Sequence, residues 1–211
     1  MPSNFNKFPF YFSKAKTILA LLPLYVLICS VTSLKQDIAK VGTIYIQPLG
    51  SVDSDCLNYL KKSVEDFYGT RCVIKQKIGL TKDILSGSKT RYDANKILEK
   101  YNTNINLVLI TEKDITHKKS NQFPEWGIFG LGLRPGKICV VSTFRLKKNV
   151  SKEQMLVRLK KVALHEIGHN LGLPHCTNHK ECMMNDADGT IKQVDRERIW
   201  FCEKCWCKLK N

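Results

Sequence analysis

The chain has 211 residues, with 34 Lys or Arg against 19 Asp or Glu and a formal charge of +15. Its 43% apolar and 25% charged residues exclude a disordered or collagen-like chain, and its length fits one ordinary domain. A multipass membrane protein is excluded as well, because only one long uncharged apolar stretch exists.

That stretch comes first. Residues 1–16 carry Lys7, Lys14 and Lys16 and no acid, and residues 17–34 then run 18 positions without a charge. A basic leader before a short apolar run has the layout of a secretory signal, with Val31 and Ser33 as the small residues for cleavage after Ser33. The alternatives are an uncleaved membrane anchor, interrupted by Pro23 and short of the roughly 20 residues a span needs, or lipid attachment at Cys29. The expected localisation is therefore exported and extracytoplasmic, with membrane association through 17–34 if the leader is retained. The expected division is a leader over 1–33 and one domain over 34–211. Losing residues 1–33 removes three lysines and no acid, which leaves +12. The pairs Lys61-Lys62, Lys118-Lys119, Lys147-Lys148 and Lys160-Lys161 are dispersed, as on a solvated surface, and no nucleic-acid module is visible.

Residues 41–46 are rich in Val, Ile and Tyr and read as a strand that Pro48 and Gly50 end. A helix over 53–68 places Leu57, Leu60, Val64 and Phe67 on one apolar face and stops at Gly69. A strand over 72–78 and a helix over 92–101, with Ala94, Ile97, Leu98 and Tyr101 inward, come next. Residues 106–111 form a continuous apolar run, as a buried strand would. The Gly-rich stretch 126–136 reads as a loop or hairpin leading into a strand over 137–142. Strands alternating with helices imply a partly parallel sheet with crossover helices.

Ser151 followed by Gln154 has the form of a capping box, so a helix starts there. Its expected buried stripe is Leu156, Leu159, Ala163 and Ile167, with Arg158, Val162, His165 and His169 on a neighbouring face. His165 and His169 stand one turn apart and point the same way, so two neutral imidazoles can chelate one zinc while Glu166 reaches a water beside it. Gly172 ends the helix in a left-handed cap, and the turn through Leu173 and Pro174 brings back His175 as a third nitrogen ligand. The run from His165 to His175 is the extended signature of the metzincin metallopeptidases. Four of the five histidines fall between 165 and 179, which a helix with unrelated surface histidines does not explain.

Cys176 follows the third histidine, then come Cys182, Met184 and the pair Cys202 and Cys205, with seventeen residues between Met184 and Cys202. With these residues added, the sequence resembles the archaemetzincins over 165–205, and more loosely back to Val41. The resemblance implies a zincin-like α/β fold: a mixed, mostly parallel twisted sheet, an active-site helix and a small Cys-rich C-terminal subdomain. It also implies a zinc-dependent peptidase acting on peptide or protein substrates, with a catalytic zinc on His165, His169 and His175 and Glu166 as general base. A second, structural zinc on Cys176, Cys182, Cys202 and Cys205 belongs to the same pattern, as does structural support from Gly172 and from Met184 beneath the catalytic metal. The strand before the active helix, near 137–145, is expected to form the upper edge of the cleft. One departure stands out: the family has four residues between its first two cysteines, and this chain has five between Cys176 and Cys182. The insertion places His179 nearby as a competing ligand. In an oxidising compartment the four cysteines could pair as disulfides or serve a redox role instead. Cys56, Cys72 and Cys139 read as buried small apolar residues, and Cys207 is left over. The competing function is a zinc-stabilised binding module at a membrane or cell wall, against which Glu166 argues. A monomer is expected.

Overall fold

The computed structural model describes residues 41–210. Along the chain run β1 (Ile44–Leu49), α1 (Ser54–Tyr68), β2 (Cys72–Ile74), β3 (Tyr92–Asp93), α2 (Ala94–Lys100), β4 (Asn106–Thr111), β5 (Ile115–His117), β6 (Trp126–Ile128), β7 (Gly130–Gly132), β8 (Ile138–Ser142), α3 (Lys152–Asn170), α4 (Ile191–Arg196) and α5 (Glu203–Lys210). The leader over 1–33, with its expected cleavage or anchoring, lies outside the described residues. No helix among the described residues is long and apolar enough to cross a membrane.

The main sheet has the order β2-β1-β4-β8-β7, parallel throughout except for β7, which runs antiparallel to β8. Both faces are covered, which is why β4 and β8 read as unbroken apolar runs. Ile44, Ile46, Val108, Ile110, Cys139 and Val141 face the side of α1 and α3, while Leu107, Leu109, Ile138 and Val140 face α2. The period of two along each strand sorts these side chains into two cores. A second, smaller sheet, β3-β5-β6, takes one strand from before α2 and two from after it in the chain. Arg145 ties it down through two hydrogen bonds from its guanidinium to Asp114, at 2.7 and 2.9 Å.

Several boundaries differ from the sequence expectation. β1 begins later and passes through Pro48, which was expected to end it. The Pro48 carbonyl accepts from Ile78 N (3.0 Å), so its nitrogen faces the same side, beyond the end of β2 at Ile74. A proline is tolerated there because the missing donor has no strand opposite it. β2 is correspondingly shorter than 72–78, and only an isolated bridge from Leu49 to Ile78 continues the pairing. The helix expected from residue 92 starts at Ala94, because the Asp93 side chain caps it by accepting from Asn95 N and Lys96 N. The Gly-rich stretch is a hairpin with β8, but it also supplies β6 to the other sheet. The expected upper edge of the cleft is corrected too: β8 is internal, and of the sheet's two edge strands, β2 and β7, it is β7 that lines the cleft.

α3 is capped as expected, with the Ser151 hydroxyl accepting from Gln154 N (3.3 Å). Leu159, Ala163 and Ile167 are buried, whereas Leu156 is only half-buried and Met155 takes its place in the core. Arg158 is buried as well, because its guanidinium donates twice to Asp195, at 2.7 and 2.6 Å, and once to the Leu146 carbonyl (2.9 Å). The helix ends at Asn170 and the chain turns through Gly172 at φ 95°, where a side chain would be strained. Beyond it, the Cys-rich segment joins the α1/α3 core rather than standing apart: Cys176, Cys182, Cys202, Cys205 and Phe201 are all buried in it.

Candidate metal centre and cleft

One ligand nitrogen from each of His165, His169 and His175 lies within 4.8 Å of the others. The helical spacing sets the first two, and the turn after Gly172 sets the third. Each ring has a partner for its Nδ1. The Met183 carbonyl stands 2.6 Å from that of His165 and the Leu173 carbonyl 2.7 Å from that of His169. Asp186 Oδ2 stands 3.4 Å from that of His175. Oxygen acceptors on all three Nδ1 atoms fix the tautomer that leaves each Nε2 free, which is the arrangement of metal-binding histidines. Burial holds the first two imidazoles neutral, lowering His165 to about 3 and His169 to about 4. Neutral nitrogens are the form that binds a metal.

Glu166 lies beside them, buried against β7. Burial pushes its carboxyl up to about 8, against the pull of the Gly132 backbone amide. Room for this side chain depends on glycine. A β-carbon at Gly130 would stand 2.7 Å from the Glu166 carboxylate, and one at Gly132 2.7 Å from the Glu166 carbonyl oxygen. The Phe129 carbonyl accepts from Ser142 N and Leu133 N donates to Ile138 O, so alternation turns the backbone groups of Gly130 and Gly132 outward. Beneath the helix, Met184 is fully buried, with its sulfur against Gly168. Met184 accepts from Cys176 N through its carbonyl (2.7 Å), so the turn around it joins the two ligand sets.

These residues form the floor of a cleft of about 480 Å³. Its upper wall is β7 with His117, Lys119 and Trp126, and its lower wall is the segment from Asn185 to Gly189 with Val194 and Glu197. Lys119 bridges the two walls by an ion pair with Asp188 and lies 4.7 Å over the Trp126 ring. Glu197 is 5% exposed, and burial pushes its carboxyl up to about 8.

The four expected cysteines also come together, all buried, with their sulfurs within 4.8 Å of one another. None is in a disulfide. Cys176 and Cys202 are 3.6 Å apart at sulfur, Cys202 and Cys205 3.6 Å, and Cys182 and Cys205 3.8 Å. Sulfurs at about 2.3 Å from a tetrahedral zinc would be roughly 3.8 Å apart, so the cluster fits that ion. Cys182 is lowered to about 5, chiefly by its hydrogen bond with Cys205. His179 does not join the cluster: it is exposed, its Nδ1 accepts from Glu181 N (3.2 Å), and its ring meets Trp200 edge-on. The extra residue is absorbed in this outward turn. Cys56, Cys72 and Cys139 are buried in the core as expected, and Cys207 is exposed.

Sequence reasoning missed Asp186, Glu197, Gly130, Gly132, Lys119 and Trp126. Only the glycines left a trace, since two at i and i+2 in a strand mark close approach on one face.

The family model of peptidase family M54 matches residues 89–211. The archaemetzincin of Methanocaldococcus jannaschii is 34% identical over 174 residues, covering 80% of this chain and 93% of that protein. That of Archaeoglobus fulgidus is 32% identical, covering 79% and 98%. Its crystal structure, in complex with malonate, matches with a TM-score of 0.70 over 79% of this chain and 99% of that one. The archaemetzincin structure from Methanopyrus kandleri, 24% identical, shares the fold with a TM-score of 0.66. Three histidines and four cysteines gathered in this fold agree with that likeness, and the chain belongs to peptidase family M54, the archaemetzincin zinc metallopeptidases.

Proposed function

We propose that the protein hydrolyses peptide bonds in this cleft, with His165, His169 and His175 holding one zinc and Glu166 as general base. When bound, the zinc supplies Lewis acidity, polarising a carbonyl and lowering the pKa of water. The observation that carries the reading is the convergence of three imidazoles, each with its Nδ1 engaged, beside a buried carboxyl group on the cleft floor. Glu166 takes a proton from the attacking water and passes it to the leaving amine. The outward backbone groups of Gly130 and Gly132 offer an extended substrate the pairing that β8 offers on the other side. Cys176, Cys182, Cys202 and Cys205 hold a second, structural zinc, a reading supported by their sulfur spacing. The charge and hydropathy of 1–33 support export, with 34–211 as the catalytic domain and monomer.

The test is cleavage of a diverse peptide mixture by zinc-loaded protein, read by mass spectrometry beside Glu166→Ala. Products from the wild type alone support the mechanism, and their ends distinguish trimming from internal cutting. Retained turnover in Glu166→Ala overturns it. Two zinc ions per chain by elemental analysis support the structural site, and one refutes it.

A further inference from the structure

We propose that Glu197 selects substrates carrying a cationic side chain, lysine or arginine, next to the reacting bond. This rests on the peptidase reading of the cleft and names the class of substrate it takes. Glu197 follows α4 and lines the cleft together with Val162, His165 and Val194. One of its oxygens accepts from Gln193 Nε2 at 3.3 Å. The other accepts no hydrogen bond, yet no side-chain oxygen among the described residues is both fully enclosed and unpartnered, so this oxygen keeps some exposure in a residue that lines the cleft.

No cation of the protein forms a direct ion pair with it. Among the described residues, no Lys, Arg or His nitrogen lies within 4.0 Å of the Glu197 carboxylate. Lys161 is the strongest charge acting on it, but its amine donates to the carbonyls of Val194 (2.8 Å) and Asp195 (3.1 Å). The other acids of the lower wall are engaged, Asp186 with His175 and Asp188 with Lys119. In a chain with 34 basic residues, a nearly buried carboxyl group lining a cleft without a contact ion pair is a marked exception. Burying a carboxylate is costly unless it is paired. A lysine or arginine side chain entering between Val162 and Val194 would lay its methylenes on the two valines and bring its charge to the free oxygen, favouring the ionised carboxylate and releasing the proton that burial otherwise keeps there. An acidic side chain would bring a second carboxyl group to the same enclosed place with no cation for either to pair with, which gives discrimination as well as attraction.

The test measures binding, so it does not depend on turnover. Three hydroxamates whose one side chain is that of lysine, norleucine or glutamate are titrated into zinc-loaded protein by calorimetry. The lysine compound should bind at least about tenfold tighter than norleucine, and glutamate weakest. Glu197→Gln should bring lysine and norleucine within about twofold, and Glu197→Lys should favour glutamate. Equal affinities in the wild type, or a lysine preference that survives Glu197→Gln, overturn the proposal. If Glu197→Gln does not fold, the wild-type ratio and Glu197→Asp, which keeps the charge, still decide it. Peptides cleaved without a lysine or arginine preference sink this inference alone. A lysine preference in binding without any peptide cleavage sinks only the peptidase reading, and failure of all three compounds to bind overturns both.

Discussion

The carboxylate of Glu166 rests against the α-carbon of Gly130 so closely that a β-carbon there would stand 2.7 Å from it. The general base is therefore positioned by an absence of side chain on the facing strand. Gly130→Ala should displace Glu166 by about an ångström while leaving the three histidines in place. The expected loss in kcat/KM is about a hundredfold, with zinc content unchanged. Zinc analysis beside peptide turnover checks this; full activity in the variant would mean that β7 does not position the base.

Asp186 holds the ring of His175, the most exposed of the three histidines, at 3.4 Å. Asp186→Asn keeps the shape and removes the charge. Zinc affinity should fall by about 10- to 100-fold, the usual effect of losing a partner behind a metal-binding histidine. Competition against a chromophoric chelator measures it, and unchanged affinity would show that His175 needs no such support.

Met184 fills the space that Gly168 leaves on α3, where an added β-carbon would come within 2.6 Å of the sulfur. Gly168→Ala should overpack this contact and cost about 1–3 kcal/mol of stability. Met184→Ala should leave a cavity and cost about 2–5 kcal/mol. Both variants should also weaken zinc binding, because Met183 next in the chain holds His165. Denaturant melts with and without zinc separate the two effects.

In metal-free protein, stability should fall between about pH 6.5 and 8. Burial raises Glu166 and Glu197 to about 8 in the folded state, against about 4.3 unfolded, so each binds a proton on folding across that window. Their contribution is complete below about pH 4.3 and is lost as pH rises through the folded value. His165 and His169 act oppositely: lowered to about 3 and about 4, they contribute stability above about 6.5 that is lost as pH falls. From about pH 6.5 upward the two glutamates outweigh the one opposing group, the Cys182 thiol, which is lowered to about 5, and Glu197→Gln should flatten the decline. Thermal melts in chelator across this range check it; an unchanged slope in the variant would show that Glu197 titrates normally.

The metal ligands were legible because their chemistry demands fixed spacing along one helix and one turn. β4 and β8 were legible because burial on both faces leaves no polar position in the run. The small sheet was not, since β3 and β5 have two and three residues and are too short for any period to emerge. Pro48 misled because local propensity disfavours it in a strand, while only the tertiary pairing shows that its missing donor faces no partner. Glu197 stands in the charged run Asp195-Arg196-Glu197-Arg198, which reads as surface. Its burial comes from α3 and the cleft, which sequence neighbours do not report.

His175 and Cys176 are consecutive residues of two different clusters. Whatever gathers the four sulfurs therefore also tethers the third imidazole, sparing it the conformational search that a free loop end would make. The histidine site is thus built in two stages, with two ligands supplied by a preformed helix and the third delivered by a separate clasp. Loosening the clasp, by oxidation of its thiols or by loss of what they hold, would raise the effective dissociation constant of the catalytic site without touching any of its own residues. The cleft's competence is in that sense governed from the far side of a single peptide bond.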